Sequence, residues 1–323
     1  MTFPAPIILV TSASQKVPLI RLLKTAATSI DPNAKIIAGD VDENSMSFLF
    51  ADNYWVMPYL DESIIKEIIQ ECLKRKINTI LPTRDGELLF WAKNASLFIS
   101  AGIKILISKP ESIKLCLDKI AFSEFGAQNN LPFIPSSLEI KDIRSNFFVV
   151  KERYGSGSTS IGKKLSLLEA NDHKKNLVMP LFQPFVEGVE ISIDAWLDYY
   201  GNVKGLVLRK RNLVISGESR VTTTFRDSNI ECQAKYILNK LGLRGPVVMQ
   251  GIIEKSGDLK IIECNPRFGG ASTTSIAVGL DSLKWSILER LDVSLDDHPF
   301  IRSKKEVKQI RVLSDIYYYD SDL

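Results

Sequence analysis

The first third of the chain alternates between short apolar runs and longer segments with helical spacing. PIILV at 6–10 and AKIIAGD at 34–40 are typical of strands buried on both faces of a parallel sheet. The apolar positions of 17–30 and 62–76 recur every three to four residues, which predicts helices. The same patterns predict strands at 77–82 and 102–108 and a helix at 85–100. We therefore predict a parallel sheet in this part, with helices on both of its faces.

Beyond Pro110 the pattern predicts mainly antiparallel β structure. One helix over 111–130 comes first, and strands separated by turn signals follow from about residue 145. The predicted strands are 147–154, 181–185, 189–200, 202–211, 247–255, 259–265 and 307–320, and the predicted helices are 231–242 and 275–291. The chain is thus expected to combine an α/β part with an α+β part.

Composition narrows the class of protein. The 323 residues are enough for two or three domains, and 45% hydrophobic and 24% charged residues are ordinary for a soluble globular protein. The formal net charge of +3 argues against a nucleic-acid partner. The four cysteines have no CxxC or zinc spacing, and no stretch approaches the roughly 20 apolar residues that span a bilayer. We expect a cytoplasmic protein with free thiols and without a membrane or nucleic-acid partner.

The stretch IIECNPRFGG at 261–270 places polar side chains at the end of an apolar strand. If Glu254 and Leu259 flank a four-residue loop, Gln250 lies directly opposite Glu263 in an antiparallel hairpin. Opposed residues point to the same face of the sheet. The register therefore predicts an amide and a carboxylate side by side.

Three oxygen-bearing side chains then share one face. Asn265 lies two residues beyond Glu263, so it joins Gln250 there. Hard cations such as Mg²⁺ prefer oxygen ligands and often keep substrate phosphates in their remaining positions. Arg267, two residues further on, is placed to bind a phosphate oxygen, and Gly269-Gly270 to let a substrate approach the backbone. The alternative, which any one of these residues alone would favour, is a solvated strand end.

A second cluster lies in VVKERYGSGSTSIG at 149–162. Lys151 leaves a predicted buried strand just before a loop with glycines at 155, 157 and 162. Backbone N–H groups of such a loop bind phosphate, and a lysine beside them adds a charge for the same anion. Residues 157–163 read GxxxxGK, but Lys164 stands where a P-loop has Ser or Thr, and the βαβ context is absent. We interpret the segment as a phosphate-covering flap, with a flexible hairpin tip as the alternative.

Other polar positions are weaker candidates. In 181–196, Pro184 and Gly188 interrupt a strand, which exposes backbone groups that suit a purine edge. Glu190 follows Gln183 by seven residues and suits ribose hydroxyls. A bent structural strand is the alternative.

The loops after the N-terminal strands bear on the choice of cofactor. Residues 10–20 lack the glycines of GxGxxG that a dinucleotide site needs, which argues against a nicotinamide-dependent oxidoreductase. PTRDGEL at 82–88 follows a strand at the carboxyl edge, where open α/β sheets bind ligands. Asp85 is there either a substrate contact or, more simply, the N-cap of the next helix.

The order of these features resembles the ATP-grasp superfamily, in particular the branch similar to the large subunit of carbamoyl-phosphate synthase. It runs from Lys119 in LDK, through Lys151 with its Gly/Ser loop and QPFVEGVE at 183–190, to ExNPR at 263–267 with Gln250 upstream. The resemblance covers nearly the whole chain. This chain has one such unit and no Cys–His amidotransferase signature, which argues against carbamoyl-phosphate synthesis itself.

The resemblance implies a division into domains. A Rossmann-like α/β domain over 1–110 precedes an ATP-grasp domain of two lobes with mainly antiparallel sheets. The lid lobe, with the flap, spans 111–185, and the C-terminal lobe, with the metal site, spans 186–323. A homodimer is compatible with the resemblance, since dimers are common in the superfamily.

The resemblance also implies roles for the matching residues. The implied ATP contacts are Lys119, Lys151, Ser156, Gly157, Ser158, Gln183, Phe185, Val186 and Glu190. The superfamily often has an acid where Gln183 stands. The implied ligands of two Mg²⁺ ions, or of Mn²⁺ in their place, are Gln250, Glu263 and Asn265, with Glu263 as the bridge. Lys151 and Arg267 are the implied catalytic residues, with Arg267 stabilising the transferring phosphoryl group.

The implied reaction is phosphorylation of a carboxylate to an acyl phosphate, from which an amine or another nucleophile displaces phosphate. Three arginines, at 209, 211 and 220, lie near the expected acceptor site. They suit an anionic substrate, with a solvated strand face as the alternative. Our predicted substrate contacts are Arg220, Gly269, Gly270 and Asp85. The predicted function is an ATP-dependent, ADP-forming carboxylate–amine ligase for small molecules, and the alternative is a nucleotide-binding regulatory or scaffold protein without turnover.

Overall fold

The computed structural model describes residues 4–155, 157, 160–312, 315 and 317. Within these residues, the N-terminal part has five parallel strands in the order β3-β2-β1-β4-β5. The strands are β1 (Ile7–Val10), β2 (Lys35–Asp40), β3 (Asn53–Val56), β4 (Thr79–Leu81) and β5 (Lys104–Ile105), and the helices are α1 (Val17–Ile30), α2 (Ile65–Lys74) and α3 (Asp85–Ser100). The predicted parallel α/β architecture is confirmed, and helices α1 and α3 have the predicted bounds.

Side chains of the parallel strands point alternately to the two faces of the sheet, and each face packs against helices. In β1, Ile8 and Val10 pack with α1 on one face of the sheet. Leu9 packs on the opposite face with Ile68 of α2 and with residues of α3. Successive side chains of a strand point to opposite faces, so a strand covered on both sides is apolar throughout. The apolar pattern does not predict β3, because Trp55 is the only buried residue of that strand.

Two helices replace the single one predicted over 111–130. They are α4 (Pro110–Leu117) and α5 (Lys119–Gln128). Asp118 separates them in an extended conformation, and its carboxylate accepts two backbone N–H groups from the first turn of α5. Cys116 of α4 and Phe122 of α5 pack in the core of the large C-terminal sheet. These two residues thus pack on the large sheet, and the predicted start of the lid lobe at residue 111 stays a prediction.

The lid is an antiparallel sheet in the order β7-β6-β8. Its elements are β6 (Phe148–Glu152), β7 (Gly162–Leu165), helix α6 (Leu167–His173) and β8 (Pro180–Pro184). Val150 and Phe182 pack with Ala170 of α6 in a small core. A capping box between Ser166 and Glu169 defines the start of α6, which the apolar pattern alone does not predict.

The C-terminal part is built on a second antiparallel sheet, which has six strands within the described residues in the order β13-β12-β9-β10-β11-β14. Its strands are β9 (Gly188–Leu197), β10 (Val203–Ile215), β11 (Glu218–Phe225), β12 (Gly245–Glu254), β13 (Leu259–Asn265) and β14 (Lys308–Ile310), and its helices are α7 (Ser228–Lys240), α8 (Ser272–Ala277) and α9 (Ser282–Arg290). The predicted mainly antiparallel architecture of this part is confirmed.

Two predicted C-terminal elements differ from the structure. The helix expected over 275–291 is divided into α8 and α9, because Gly279 between them has a φ of +101°, which interrupts a right-handed helix. The strand expected over 307–320 is β14 alone. Residues 313, 314, 316 and 318–320 of that prediction lie outside the described residues.

Helix α9 joins the two halves of the molecule. Leu283 and Ile287 of α9, together with Phe268, pack with Ile20 and Leu23 of α1 in one buried core. This contact holds the carboxyl ends of the N-terminal strands against the end of β13. Among the described residues, no helix is both long enough and apolar enough to cross a membrane.

Candidate active site

A cavity of about 420 Å³ lies where the N-terminal sheet, the lid and the large sheet meet. All three parts contribute to its wall. The sequence-predicted residues that line it are Asp85, Lys119, Lys151, Gly157, Gln250, Glu263, Asn265, Arg267, Gly269 and Gly270. Residues from four separate segments of the sequence therefore converge on one cavity.

The β12–β13 hairpin presents the predicted oxygen ligands. Gln250 pairs with Glu263 as predicted, and Asn265 Nδ2 donates a hydrogen bond of 3.1 Å to Glu263 Oε1. Nearer the turn the predicted register is wrong, because Leu259 pairs with Ile253 and not with the next residue. A bulge between Gln250 and its neighbour shifts the register by one residue and restores the predicted pairing at the cavity.

The chemistry of this set fits a metal bound together with a phosphate. No group of three or more His, Cys, Asp or Glu side chains converges anywhere in the described part of the chain. With only one carboxylate, Gln250, Glu263 and Asn265 form a weak site for a free ion. Mg²⁺ commonly takes one or two carboxylates and completes its shell with water and substrate phosphates.

Two lysines face the same region of the cavity. Lys151 on β6 is only 4% exposed, and burial lowers the pKa of its ammonium group to about 8, although Glu263 raises it. Lys119, the first residue of α5, donates to the carbonyl oxygens of Gly155 (2.9 Å) and Arg153 (3.3 Å). Burial also lowers the pKa of Lys119, and Glu263 again opposes the shift. A phosphate chain would neutralise both ammonium groups.

Asp118 anchors the start of the glycine-rich loop. Its carboxylate binds Arg153 through Nε (2.9 Å) and Nη2 (2.5 Å) and accepts from the Tyr154 hydroxyl at 2.8 Å. Burial raises the pKa of this carboxyl, but the hydrogen bonds from Arg153, Tyr154 and the backbone outweigh burial and lower it to about 2. Asp118 thus stays ionised at neutral pH and ties α5 to the loop. Sequence reasoning missed this role.

The glycine-rich loop connects two antiparallel strands, β6 and β7. A P-loop requires a helix after the loop, so the P-loop alternative is wrong. Gly157 lines the cavity and lies against Gly217 at the tip of the β10–β11 hairpin, where a Cβ on Gly217 would be 2.6 Å from the Gly157 carbonyl oxygen. Ser156 and Ser158, which we predicted to contact ATP, lie outside the described residues.

This contact leads to a first prediction. Gly217→Ala should displace the loop, because the new methyl group would collide with the Gly157 backbone. We expect the amides of Gly155, Gly157 and Ile161 to exchange hydrogen about tenfold faster, measured by NMR or mass spectrometry. Gly102→Ala is the matched control, since Gly102 has a similar φ of +80° and nothing within 4 Å of its Cβ position. Equal exchange rates in the two variants would contradict the prediction.

The three arginines of β10 and β11 differ in their surroundings. Arg209 lines the cavity but is buried and binds Asp194 at 2.5 and 3.1 Å. Arg211 lines the cavity, lies 3.1 Å from Glu190 and donates to Gln250 Oε1. Arg220, our predicted substrate contact, does not line the cavity.

Arg220 does not line the cavity because the pairing of β10 with β11 is irregular. The register shifts on either side of Leu213, and Ser219 then lines the cavity. Its neighbour Arg220 is directed away, because successive residues of a strand point to opposite faces. Arg211 is therefore the arginine that the structure brings to the proposed metal ligands.

Arg267, which follows the β12–β13 hairpin, links it to the N-terminal part. Its guanidinium binds the Asp85 carboxylate through Nε (2.7 Å) and Nη2 (2.5 Å), and its Nη1 donates to the carbonyl oxygen of Phe268 at 3.0 Å. Asp85 is the first residue of α3, and Arg84 occupies the N-cap position that we considered for Asp85. The pair fixes the plane of the guanidinium and leaves both residues on the cavity wall.

The predicted adenine and ribose contacts do not line this cavity. Gln183 is buried and donates to Ser136 Oγ at 2.8 Å, and Glu190 pairs with Arg211. Phe185 and Val186 follow β8 and are likewise absent from the described wall. Their roles toward a nucleotide stay predictions.

Sequence reasoning missed several charged residues of the cavity region, among them Lys16, Glu218 and Arg311. Lys16 follows β1 and lines the cavity together with Glu218 of β11. Arg311 pairs with Glu218 at 2.7 Å. Burial lowers the pKa of Lys16, and the Arg267 charge lowers it further. A signal for Lys16 was available, since it follows the carboxyl end of the central parallel strand, where α/β sheets bind ligands.

Two family models match the chain. Residues 8–106 match the N-terminal domain of PylC-like proteins. Residues 174–313 match the model described as ATP-grasp in the biosynthetic pathway with Ter operon. Residues 174–313 are therefore similar to an ATP-grasp family. The predicted resemblance is thereby confirmed, and no curated protein sequence matches the chain.

Solved structures share the fold of this chain at low sequence identity. The biotin carboxylase domain dimer of Hydrogenobacter thermophilus 2-oxoglutarate carboxylase, in complex with MgADP, ADP and bicarbonate, has a TM-score of 0.77 and 17% identity over 95% of this chain and 74% of that chain. N5-carboxyaminoimidazole synthetase from Staphylococcus aureus, complexed with ADP, has a TM-score of 0.75 and 16% identity over 97% and 83%. L-amino acid ligase from Bacillus licheniformis has a TM-score of 0.69 and 17% identity over 90% and 75%.

Proposed function

We propose that this protein is an ATP-dependent, ADP-forming ligase that joins a carboxylate to an amine. The observation that carries the proposal is the convergence of two lysines, one carboxylate with two amides, and one arginine on a single cavity. Phosphoryl transfer depends mainly on positioning and on neutralising charge spread over oxygen atoms, which this set supplies. Similar folds bind ADP in the carboxylase domain and in the synthetase.

Gln250, Glu263 and Asn265 would hold Mg²⁺ together with the phosphates of ATP. The ion would neutralise charge on the phosphoryl oxygens. In the structure, Gln250 Oε1 accepts a hydrogen bond from Arg211. For Gln250 to bind the ion through this oxygen, Arg211 would have to release it and keep its second partner, Glu190. Lys119 and Lys151 would bind the other phosphate charges, and Gly155, Gly157 and Ile161 line the same cavity.

In the proposed reaction, a carboxylate oxygen of the substrate attacks the γ-phosphorus of ATP. The bond from phosphorus to the bridging oxygen breaks, and ADP leaves with its electron pair. The amine nitrogen then attacks the acyl carbon, phosphate leaves, and the nitrogen loses a proton to give an amide. Arg267, held in place by Asp85, stabilises the charge of the phosphoryl group during the first step.

An assay of ADP and phosphate release across a panel of carboxylic acids and amines tests the proposal. Hydroxylamine in place of the amine should trap the acyl phosphate as a hydroxamate. We expect ADP formation that depends on the acid and on Mg²⁺. ADP formation that depends on no acid, or that yields no hydroxamate with any acid that is turned over, would contradict the proposed chemistry.

The second candidate is a regulatory or scaffold protein that binds nucleotide without turnover. The observation that favours it is the contact of Arg211 with Gln250 Oε1, since this cation occupies one of the three proposed metal ligands. This candidate is expected to show a higher unfolding temperature with ATP and no ADP formed with any acid. ADP formation above background excludes it.

A further inference from the structure

A second cavity, of about 310 Å³, adjoins the first at the carboxyl edge of the N-terminal sheet. Its wall comes from the loops that follow β1, β2 and β3 and from the start of α3. Lys16, Arg84 and Glu218 line both cavities. The two cavities therefore meet at these three side chains, and a ligand in the second cavity lies next to the site proposed for phosphoryl transfer.

The carboxylates of the second cavity already have protein partners. Asp40 accepts from the backbone N–H groups of Ser14 (2.8 Å) and Asp42 (3.2 Å). Glu218 pairs with Arg311 at 2.7 Å.

Glu87 is likewise satisfied. It accepts from the backbone of Thr83 (2.9 Å) and of Arg84 (3.0 Å), and from Trp91 Nε1 (3.2 Å). The hydrogen-bonding capacity of these acids is thus used by donors of the protein, and the Arg311 charge balances that of Glu218.

Lys16 and Arg84, the two cationic side chains that line both cavities, lack such protein partners among the described residues. Within the residues that the structure describes, neither Lys16 Nζ nor the Arg84 guanidinium has an ion-pair or hydrogen-bond partner. Lys16 is partly buried, and Arg84 is exposed. The Arg267 and Arg311 charges lower the pKa of Lys16, whereas Glu218 and Asp85 raise it. A partly buried ammonium group that forms no ion pair is costly, and an anionic ligand would relieve that cost.

We infer that Lys16 and Arg84 bind an anionic group, carboxylate or phosphate, carried by the amine substrate. The inference rests on the proposed function, in which the reacting carboxylate lies in the first cavity beside Arg267. Met57, Pro58 and Leu60 line the second cavity and offer an apolar wall to the body of this substrate. The substrate class is therefore an amine that also bears a carboxylate or a phosphate.

Fluorine NMR titration tests this site without knowledge of the substrate. Trifluoroacetate is the carboxylate probe and monofluorophosphate is the phosphate probe, and the protein is saturated with Mg²⁺ and a non-hydrolysable ATP analogue so that the first cavity is filled. We expect saturable binding of at least one probe. Its Kd should rise at least about tenfold in Lys16→Met and several-fold in Arg84→Met, the cost of losing a charge-assisted hydrogen bond.

Lys93→Met is the matched control, since Lys93 is an exposed lysine on α3 and lines neither cavity. Absence of saturable binding to the wild-type protein, or a Kd unchanged in both Lys16→Met and Arg84→Met, would overturn the inference. If the ATP analogue does not bind, the same titrations in a Lys151→Met background compare the anion site alone. A failure of the proposed ligase function is thus observed separately from a failure of this site.

Discussion

Lys151→Met is expected to reduce kcat/KM for ATP by a factor on the order of 10²–10³, the cost of removing one preorganised charge that faces developing negative charge. Lys151 is buried in the cavity wall beside the proposed phosphate site. Methionine keeps the unbranched apolar stem, so the strand packing of β6 should persist. ADP release measured against ATP concentration checks the expectation.

Lys141→Met is the control for this variant, because Lys141 is an exposed lysine of the same lid and lies outside the cavity. Its kinetic constants should equal those of the wild-type protein. A Lys151→Met variant with a wild-type unfolding temperature and wild-type kcat/KM would contradict a phosphate-binding role for Lys151.

The pH dependence of ATP binding should reflect the protonation of Lys151. Burial lowers the pKa of Lys151 from 10.5 to about 8. Above pH 8 the nucleotide-free protein loses this proton, and ATP then has to bind with proton uptake. The Kd for ATP should therefore rise by up to about tenfold per pH unit above 8, because each unit lowers the charged fraction tenfold. Lys151→Arg, whose guanidinium stays charged, should lack this step.

Unfolding of the protein does not explain such a loss of affinity. Between pH 8 and 10.5 the unfolded chain keeps the Lys151 proton, whereas the folded, nucleotide-free protein has lost it. The unfolded state binds more protons in this window, so this group makes the free energy of unfolding increase with pH there. A fall in ATP affinity together with undiminished stability therefore points to Lys151 itself.

Glu263→Gln is expected to have an effect of similar size. The variant removes the only carboxylate among the proposed metal ligands but keeps the shape of the side chain and an oxygen for Asn265 Nδ2. We expect kcat/KM to fall by a factor on the order of 10² or more, with a higher Mg²⁺ concentration needed for half-maximal rate. Titration of the rate with Mg²⁺ checks both effects.

Glu254→Gln on the same hairpin is the matched control, since Glu254 pairs with Lys260 at 3.6 Å and lies outside the cavity. A second readout separates a metal role from a structural one. Glu263 raises the pKa of Lys151, so its neutralisation should move the pH step of ATP binding to below pH 8. An unchanged Mg²⁺ requirement in Glu263→Gln would exclude Glu263 as a metal ligand.

Local patterns predicted much of the fold. The bounds of α1 and α3 follow from helical periodicity, and the parallel sheet follows from its apolar runs. The pairing of Gln250 with Glu263 was predicted from turn length alone, although the bulge shows that the register near the turn differs by one residue. Such features depend on neighbours close in sequence, and the chain specifies them directly.

Local irregularities were harder to predict. The sequence pattern predicts Asp118 within one long helix. In the structure its carboxylate caps α5 and binds Arg153 at the start of the glycine-rich loop. Arg220 was our preferred substrate contact among three arginines, but the register of β10 and β11 shifts on either side of Leu213, and Arg220 does not line the cavity. A single bulge reverses which residues face a site, and nothing in the strand pattern marks its position.

The sequence by itself determined which chemical groups this protein has available: a lysine before a glycine-rich loop, and a carboxylate flanked by amides on a hairpin. Only the tertiary structure decided which residues of distant segments join them. Asp85 and Arg267 are 182 positions apart and form one bidentate pair, and Lys16 reaches the same cavity from the loop after β1. Packing of α9 on α1 brings these distant residues together. Such packing depends on the shape of whole buried faces and not on the spacing of residues along the chain.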